Sequence, residues 1–209
     1  MKPKIKICGL RDPENIREVL ALQPDYIGFI FYPASKRYVG TSLDDRWITQ
    51  LKGAVKTAVL VDADEQEAQA IVDQFGFQAV QLHGSESPGY CGRLRSAGVT
   101  VIKAFGIDET FSWNRLADYE DVVDYYLFDT QSPQHGGTGK RFDWTLLQGY
   151  PFPKPFFLSG GISAGNIREA LDIDDDRLYA LDLNSKFETT PGIKDIALLK
   201  QTLQTINDE

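Results

Sequence analysis

Long apolar runs are missing from this sequence: the longest, YIGFIFY (26–32) and TAVLV (57–61), have the length of a β-strand, whereas a membrane-spanning helix needs roughly 20 apolar residues in succession. No transmembrane segment is expected. Cysteine is scarce too. Cys8 and Cys91 are the only two, too few for a disulfide framework and not spaced as a CxxC pair, so both read as free thiols. Basic residues are outnumbered, 22 against 30 acidic, for a formal charge of −8. A broad nucleic-acid-binding surface would be basic, so no nucleic-acid partner is expected and any anion site has to be local. The first residues, MKPKIKICGLRDPEN, carry charge throughout and lack the apolar centre and cleavage site of a secretory signal. A cytoplasmic protein is the expectation.

What the sequence does contain is a regular alternation. Eight short runs rich in Val, Ile, Phe and Leu are separated by amphipathic stretches: KIKIC (4–8), YIGFIF (26–31), TAVLV (57–61), AVQLH (79–83), TVIKAF (100–105), YYLFD (125–129), PFFLS (155–159) and LYALDL (178–183). Their C-terminal ends lie 22 to 30 residues apart, the spacing of repeated βα units. Asp12-Pro13-Glu14 reads as an N-cap and first turn ahead of Ile16, Val19 and Leu20. Ser163 reads as the cap of a helix through Ala170 and Leu171. Ile193, Ile196, Leu199 and Leu203 read as the buried face of the last helix. No linker or low-complexity run interrupts the chain, which predicts one (β/α)8 TIM barrel over residues 1–209, with a doubly wound open sheet as the alternative.

In such a barrel the reactive groups sit at the C-terminal ends of the strands and in the loops that follow. The two widest spacings place extra residues after strand 2 (YPASKRYVG, 32–40) and strand 6 (TQSPQHGGTGKRFDW, 130–144), which marks that end as the working face. Cys8 ends strand 1. It reads either as a small packing residue or, with a nearby cation favouring its thiolate, as a base or nucleophile. Lys6 lies two residues earlier on the same face and needs a carboxylate partner if it points inward, for which Asp182 on the closing strand is the candidate. Asp129 ends strand 6 after four apolar or aromatic residues, where burial would raise its pKa and suit a general acid; a structural bond to loop backbone is the plainer reading.

His83 ends strand 4, either touching ligand or serving structure, and His135 reads as a loop residue. A zinc site from Cys8, His83, Cys91 and His135 follows no common metal spacing. Arg37, in the first long loop, is either a solvated charge or a bidentate clamp for a carboxylate. Gly136-Gly137-Thr138-Gly139-Lys140, Gly160-Gly161 and Asn184-Ser185 follow strands 6, 7 and 8. Together they form a plausible phosphate cradle of backbone N–H groups, although each alone reads as a turn.

The set KICGLRDPEN, GFIFYPASKRYV, VQLHG, FDT, GGTGKRFDW, LSGGI and NSKFETTPGIKD, in that order along the chain, closely resembles the phosphoribosylanthranilate isomerase family of tryptophan biosynthesis. The resemblance implies a (β/α)8 enzyme that converts N-(5-phosphoribosyl)anthranilate to 1-(2-carboxyphenylamino)-1-deoxyribulose 5-phosphate, an Amadori rearrangement without metal or cofactor. It implies a general base at Cys8 and a general acid at Asp129. It further implies a carboxylate-binding Arg37 and phosphate held at Gly137, Gly139, Gly160, Gly161, Asn184 and Ser185; His83 and Asp182, from their places at strand ends, are expected as further substrate contacts. Many members of the family read Ser-Gly-Val-Glu after strand 8, where this chain reads Ser185-Lys186-Phe187-Glu188. The expected partner is a small phosphosugar, in a monomer or homodimer. The alternatives are another phosphosugar barrel, such as indole-3-glycerol-phosphate synthase or the ribotide isomerase of histidine synthesis, and a non-catalytic phosphosugar-binding barrel.

Overall fold

The structure, a computed structural model, describes residues 2–40, 43–131 and 141–208. Eight parallel strands close into a barrel in sequence order: β1 (Lys4–Cys8), β2 (Tyr26–Ile30), β3 (Val55–Leu60), β4 (Ala79–Leu82), β5 (Thr100–Ile107), β6 (Tyr125–Thr130), β7 (Phe156–Leu158) and β8 (Leu178–Leu183). β8 pairs with β1 through Lys6 opposite Asp182, and this register closes the ring. The closed barrel settles the choice against an open sheet.

The strands are buried on both faces, which is why their sequences run apolar without strict alternation. Outward residues such as Ile5, Ile7, Val101 and Phe105 pack with helix residues Ile16, Val19, Leu94 and Leu199 in one large core. Inward residues form two smaller layers. Tyr26, Ile102, Ala104, Leu127, Phe157 and Ala180 make one, and Cys8, Ile30 and Val59 make the other. Lys6, Gln81 and Asp182 are also buried and share hydrogen bonds, so a polar group lines the interior below the mouth.

Helices α1 (Pro13–Ala21), α2 (Asp45–Gln50), α3 (Glu65–Phe75) and α4 (Pro88–Ser96) follow the first four strands. The Asp12 carboxylate accepts from the Asn15 N–H and Pro13 opens the first turn, as its sequence predicts. Single 3-10 segments, Trp113–Tyr119 and Trp144–Gly149, take the place of helices after β5 and β6. Two sequence expectations are corrected. The helix expected from Ser163 is α5 (Ile167–Leu171). It starts later because the Asn166 side chain accepts from the Ser163 N–H and donates to the Gly161 carbonyl, holding those residues as a loop. The last helix is α6 (Ile196–Asp208), and Ile193 lies outside it. Glu188–Thr190 (β9) and Ile193–Lys194 (β10) instead pair as a small antiparallel ribbon turning at Gly192, whose φ of +89° favours glycine.

Candidate functional site

Cys8 reaches the barrel mouth as the last residue of β1 and is only 3% exposed. Its register partner is Gly28, and a Cβ at that position would lie 2.7 Å from the Cys8 Sγ. The glycine inside β2 therefore leaves the space the sulfur occupies. The expected pairing of Lys6 is present: its ammonium donates to Asp182 Oδ2 at 2.8 Å and to Gln81 Oε1 at 2.7 Å. Burial works against the Lys6 charge, but Asp182 and Cys8 outweigh it and hold the ammonium above its ordinary pKa. For Cys8 the balance falls towards the neutral thiol. Burial pushes the thiol pKa up further than Lys6 and Lys194 pull it down.

Asp129 sits near the end of β6, 6% exposed. Burial raises its pKa to about 6, against the opposing hydrogen bond from the Thr130 N–H to Oδ1 at 2.7 Å. His83 follows β4 and places Nε2 3.6 Å from Asp129 Oδ2, while its Nδ1 meets the Gln81 amide nitrogen at 3.2 Å. The loop carrying His83 is tied down by Glu86, whose carboxylate accepts from the Gly84 and Asp62 N–H groups and pairs with the buried Lys103 at 3.2 Å.

Arg37 is not a solvated charge. Its Nε and Nη2 donate to the Glu188 carboxylate at 2.7 to 3.0 Å, and the ion pair is largely buried. Glu188 in turn accepts from Lys194 at 2.8 Å, and the Lys194 ammonium donates to Asn184 Oδ1 at 2.9 Å. Arg37 and Asn184 also meet over Gly9: a Cβ there would be 2.7 Å from atoms of both. Arg37, Glu188, Lys194, Asn184 and Gly9 thus form one wall of the mouth. Ser185 follows in a single 3-10 turn, Ser185–Phe187, that buries Phe187 and leaves Lys186 exposed.

Gly160 and Gly161 follow β7 with φ of +82° and +73°. A Cβ on Gly160 would come within 2.5 Å of Thr130 Oγ1 and 2.9 Å of Asp129 Oδ1, so the glycine loop lies directly against Asp129. Gly137, Gly139 and His135 lie outside the described residues. Cys91, buried on α4, belongs to the outer core, whereas Cys8 belongs to an inner layer; the two cysteines do not share a site.

The structure therefore gathers Cys8, Arg37, His83, Asp129, Gly160, Asp182 and Asn184 at one end of the barrel. Sequence reasoning missed Gln81, Glu188 and Lys194. Gln81 carried a signal, since it is a polar residue inside an apolar strand with the same inward parity as His83. The Arg37 and Glu188 partners are 151 positions apart, and nothing local announces them.

What the arrangement can do is acid–base chemistry between buried groups beside a wall that carries Arg37 and Lys194. A profile of the N-(5'phosphoribosyl)anthranilate (PRA) isomerase family matches residues 5–205. The chain is 43% identical over 204 residues to the N-(5'-phosphoribosyl)anthranilate isomerase of Parabacteroides distasonis, covering 97% of this chain and 92% of that one. Among solved structures it superposes with a TM-score of 0.86 on phosphoribosyl anthranilate isomerase from Thermotoga maritima, 32% identical, covering 99% of this chain and 100% of that one. A further structure of the isomerase, in complex with reduced 1-(o-carboxyphenylamino)-1-deoxyribulose 5-phosphate, is 30% identical with a TM-score of 0.83, covering 99% and 100%.

Proposed function

The chain belongs to the N-(5'-phosphoribosyl)anthranilate isomerase family, and on that premise we propose how its barrel mouth carries out the aldose-to-ketose isomerisation of tryptophan biosynthesis. The reaction moves a proton off sugar C2 and rearranges an aminoaldose to an aminoketose. It needs an acid to open the ribose ring and a base at C2, and both must work without flooding the site with water.

The observation that carries the assignment of roles is the pair of buried titratable groups, Cys8 and Asp129, at the C-terminal ends of β1 and β6. Asp129, with its pKa raised to about 6, retains protonated acid close to neutral pH and protonates the ring oxygen. The C1–O bond breaks and leaves a cationic Schiff base. That new positive charge lowers the pKa of the nearby thiol when a base is needed, offsetting the burial that raises it. Cys8, once its own thiol proton has passed to solvent at the barrel mouth, takes the C2 proton as thiolate, and the electron pair of the broken C2–H bond neutralises the iminium to give an enolamine. Ketonisation follows, the C2 hydroxyl losing its proton as C1 gains one.

Arg37 is the clamp for the anthranilate carboxylate, already oriented by Glu188. Asp182 presents Oδ1, which is buried without a hydrogen-bond partner in the structure, as an acceptor for a sugar hydroxyl. Backbone N–H groups at Gly160, Gly161 and Ser185, together with Asn184, hold the phosphate at the edge of the same pocket. No helix among the described residues is long and apolar enough to cross a membrane, and a phosphorylated, diffusible substrate fits a cytoplasmic enzyme.

The test is a fluorescence assay of the purified chain with freshly generated phosphoribosylanthranilate. Enzyme-dependent loss of substrate fluorescence, first order in protein, is the expected result. Absence of turnover with ligand still bound would favour a non-catalytic phosphosugar barrel.

A further inference from the structure

A continuous line of polar contacts crosses the barrel interior from Asp182 through Lys6, Gln81 and His83 to Asp129. Its chemistry has only one consistent direction. An ammonium group can only donate, so the Gln81 oxygen faces Lys6, and the 2.7 Å bond fixes which end of the amide points there. The Gln81 NH2 is therefore the end that meets His83 Nδ1 at 3.2 Å. A donor aimed at Nδ1 requires that nitrogen to carry a lone pair. Neutral His83 then has its proton on Nε2, the nitrogen that faces Asp129 Oδ2.

The direction matters for an acid. With the proton on Nε2, the imidazole can only donate towards Asp129. With the proton on Nδ1, Nε2 would offer a lone pair 3.6 Å from the carboxyl oxygen and compete with substrate for the proton that Asp129 delivers. Asp129 Oδ1 already accepts from the Thr130 N–H, so Oδ2 is the oxygen left for this choice. Resting on the assignment of Asp129 as general acid, we propose that Gln81, held by Lys6, is a positioning residue that fixes the tautomer of His83 and so turns an N–H, not a competing lone pair, towards the carboxylate that Asp129 becomes as it delivers its proton. Gln81 need not touch the substrate to do this. It passes the fixed polarity of a buried ammonium across the barrel through one amide and one imidazole.

The chain has only two histidines, His83 and His135, so the tautomer can be read directly. Long-range 1H–15N spectra of 15N-labelled protein, assigned with a His135→Asn variant, should show His83 protonated at Nε2 and bare at Nδ1. In Gln81→Glu the new carboxylate accepts where the amide donated, and a proton should appear on Nδ1. The same variant should lose about tenfold or more in kcat with KM changed by no more than about twofold, the mark of a role expressed in the chemical step. Gln81→Met, which keeps the volume but supplies no donor, should give mixed tautomers and an intermediate kcat. A wild-type His83 protonated at Nδ1 would overturn the proposal. So would full kcat in Gln81→Glu after the proton has moved. Failure of the wild-type chain to turn over substrate would instead strike the assignment of Asp129, and the spectra would be unaffected by that result.

Discussion

Arg37 and Glu188 form a bidentate ion pair at the mouth of the barrel, with N···O distances of 2.7 to 3.0 Å. The pair links the long loop after β2 to the strand β9 that follows β8, and Lys194 backs the carboxylate from the other side. A guanidinium held in this way is preorganised for a second carboxylate, because its plane and its position are settled before ligand arrives. Arg37→Ala should therefore raise KM by roughly 10- to 100-fold, the loss of a charge-assisted contact worth about 1.5–3 kcal/mol, while kcat changes little. Glu188 keeps Lys194 and the Gly192 N–H, so the fold should survive the substitution. Steady-state kinetics with the thermal midpoint measured alongside decide it; an unchanged KM places the carboxylate elsewhere.

Cys8→Ala and Asp129→Asn should each lower kcat by about 10²- to 10⁴-fold. Neither group is assigned to holding phosphate or carboxylate, so product-analogue affinity should stay within a few-fold. Isothermal titration with the reduced product analogue separates the two effects. Turnover near the wild-type rate in either variant removes that residue from the acid–base pair.

The barrel was legible because burial on both faces forces the strands to be apolar and the turns between them to be polar. Eight runs in the sequence correspond to eight strands, with ends that differ by at most two residues. Inward parity also carried information: Lys6 and Asp182, assigned to one another from strand position alone, are a register pair and an ion pair. What the sequence hid was of two kinds. Ile193 has the right periodicity for the last helix, and only the turn at Gly192 and the burial of Lys194 against Glu188 pull it into a ribbon. Cys8 was open between a packing residue and a thiolate favoured by a nearby cation; burial outweighs Lys6 and Lys194, and the depth of a side chain is not a local property of sequence.

Asp129 links stability to pH with a sign opposite to that of a salt-bridged carboxylate. Its pKa rises from about 3.9 in an unfolded chain to about 6 in the fold. Between those values the native state holds the proton more tightly than the unfolded state, so stability falls as pH rises through this window. The loss begins near the unfolded value and is complete above the folded one. It amounts to about 3 kcal/mol at most. Asp129→Asn cannot ionise and escapes this cost. Urea unfolding should show the variant more stable than wild type at pH 8, with the difference shrinking towards zero near pH 4. Equal stability at both pH values would mean that the carboxylate is not strained by its burial.

Gly28 stands where a side chain would collide with the sulfur of Cys8. A Cβ built there lies 2.7 Å from Sγ and 3.2 Å from both Cα and Cβ of Cys8, and the two residues are fixed opposite one another by strand register. Gly28→Ala should cost about 1–3 kcal/mol as overpacking and should also lower kcat, because the thiol has to leave the position from which it reaches C2. Removing the sulfur gives a discriminating control. In the Cys8→Ala background the shortest of these contacts is gone, while those to Cα and Cβ remain, so Gly28→Ala should cost less there but not nothing. Denaturant unfolding of the four proteins closes a double-mutant cycle, and a stabilising coupling between the two alanines is the expected sign. Additive costs would show that β1 and β2 can part enough to admit the methyl group without disturbing the thiol. The catalytic loss in Gly28→Ala would then have to come from somewhere other than the placement of Cys8.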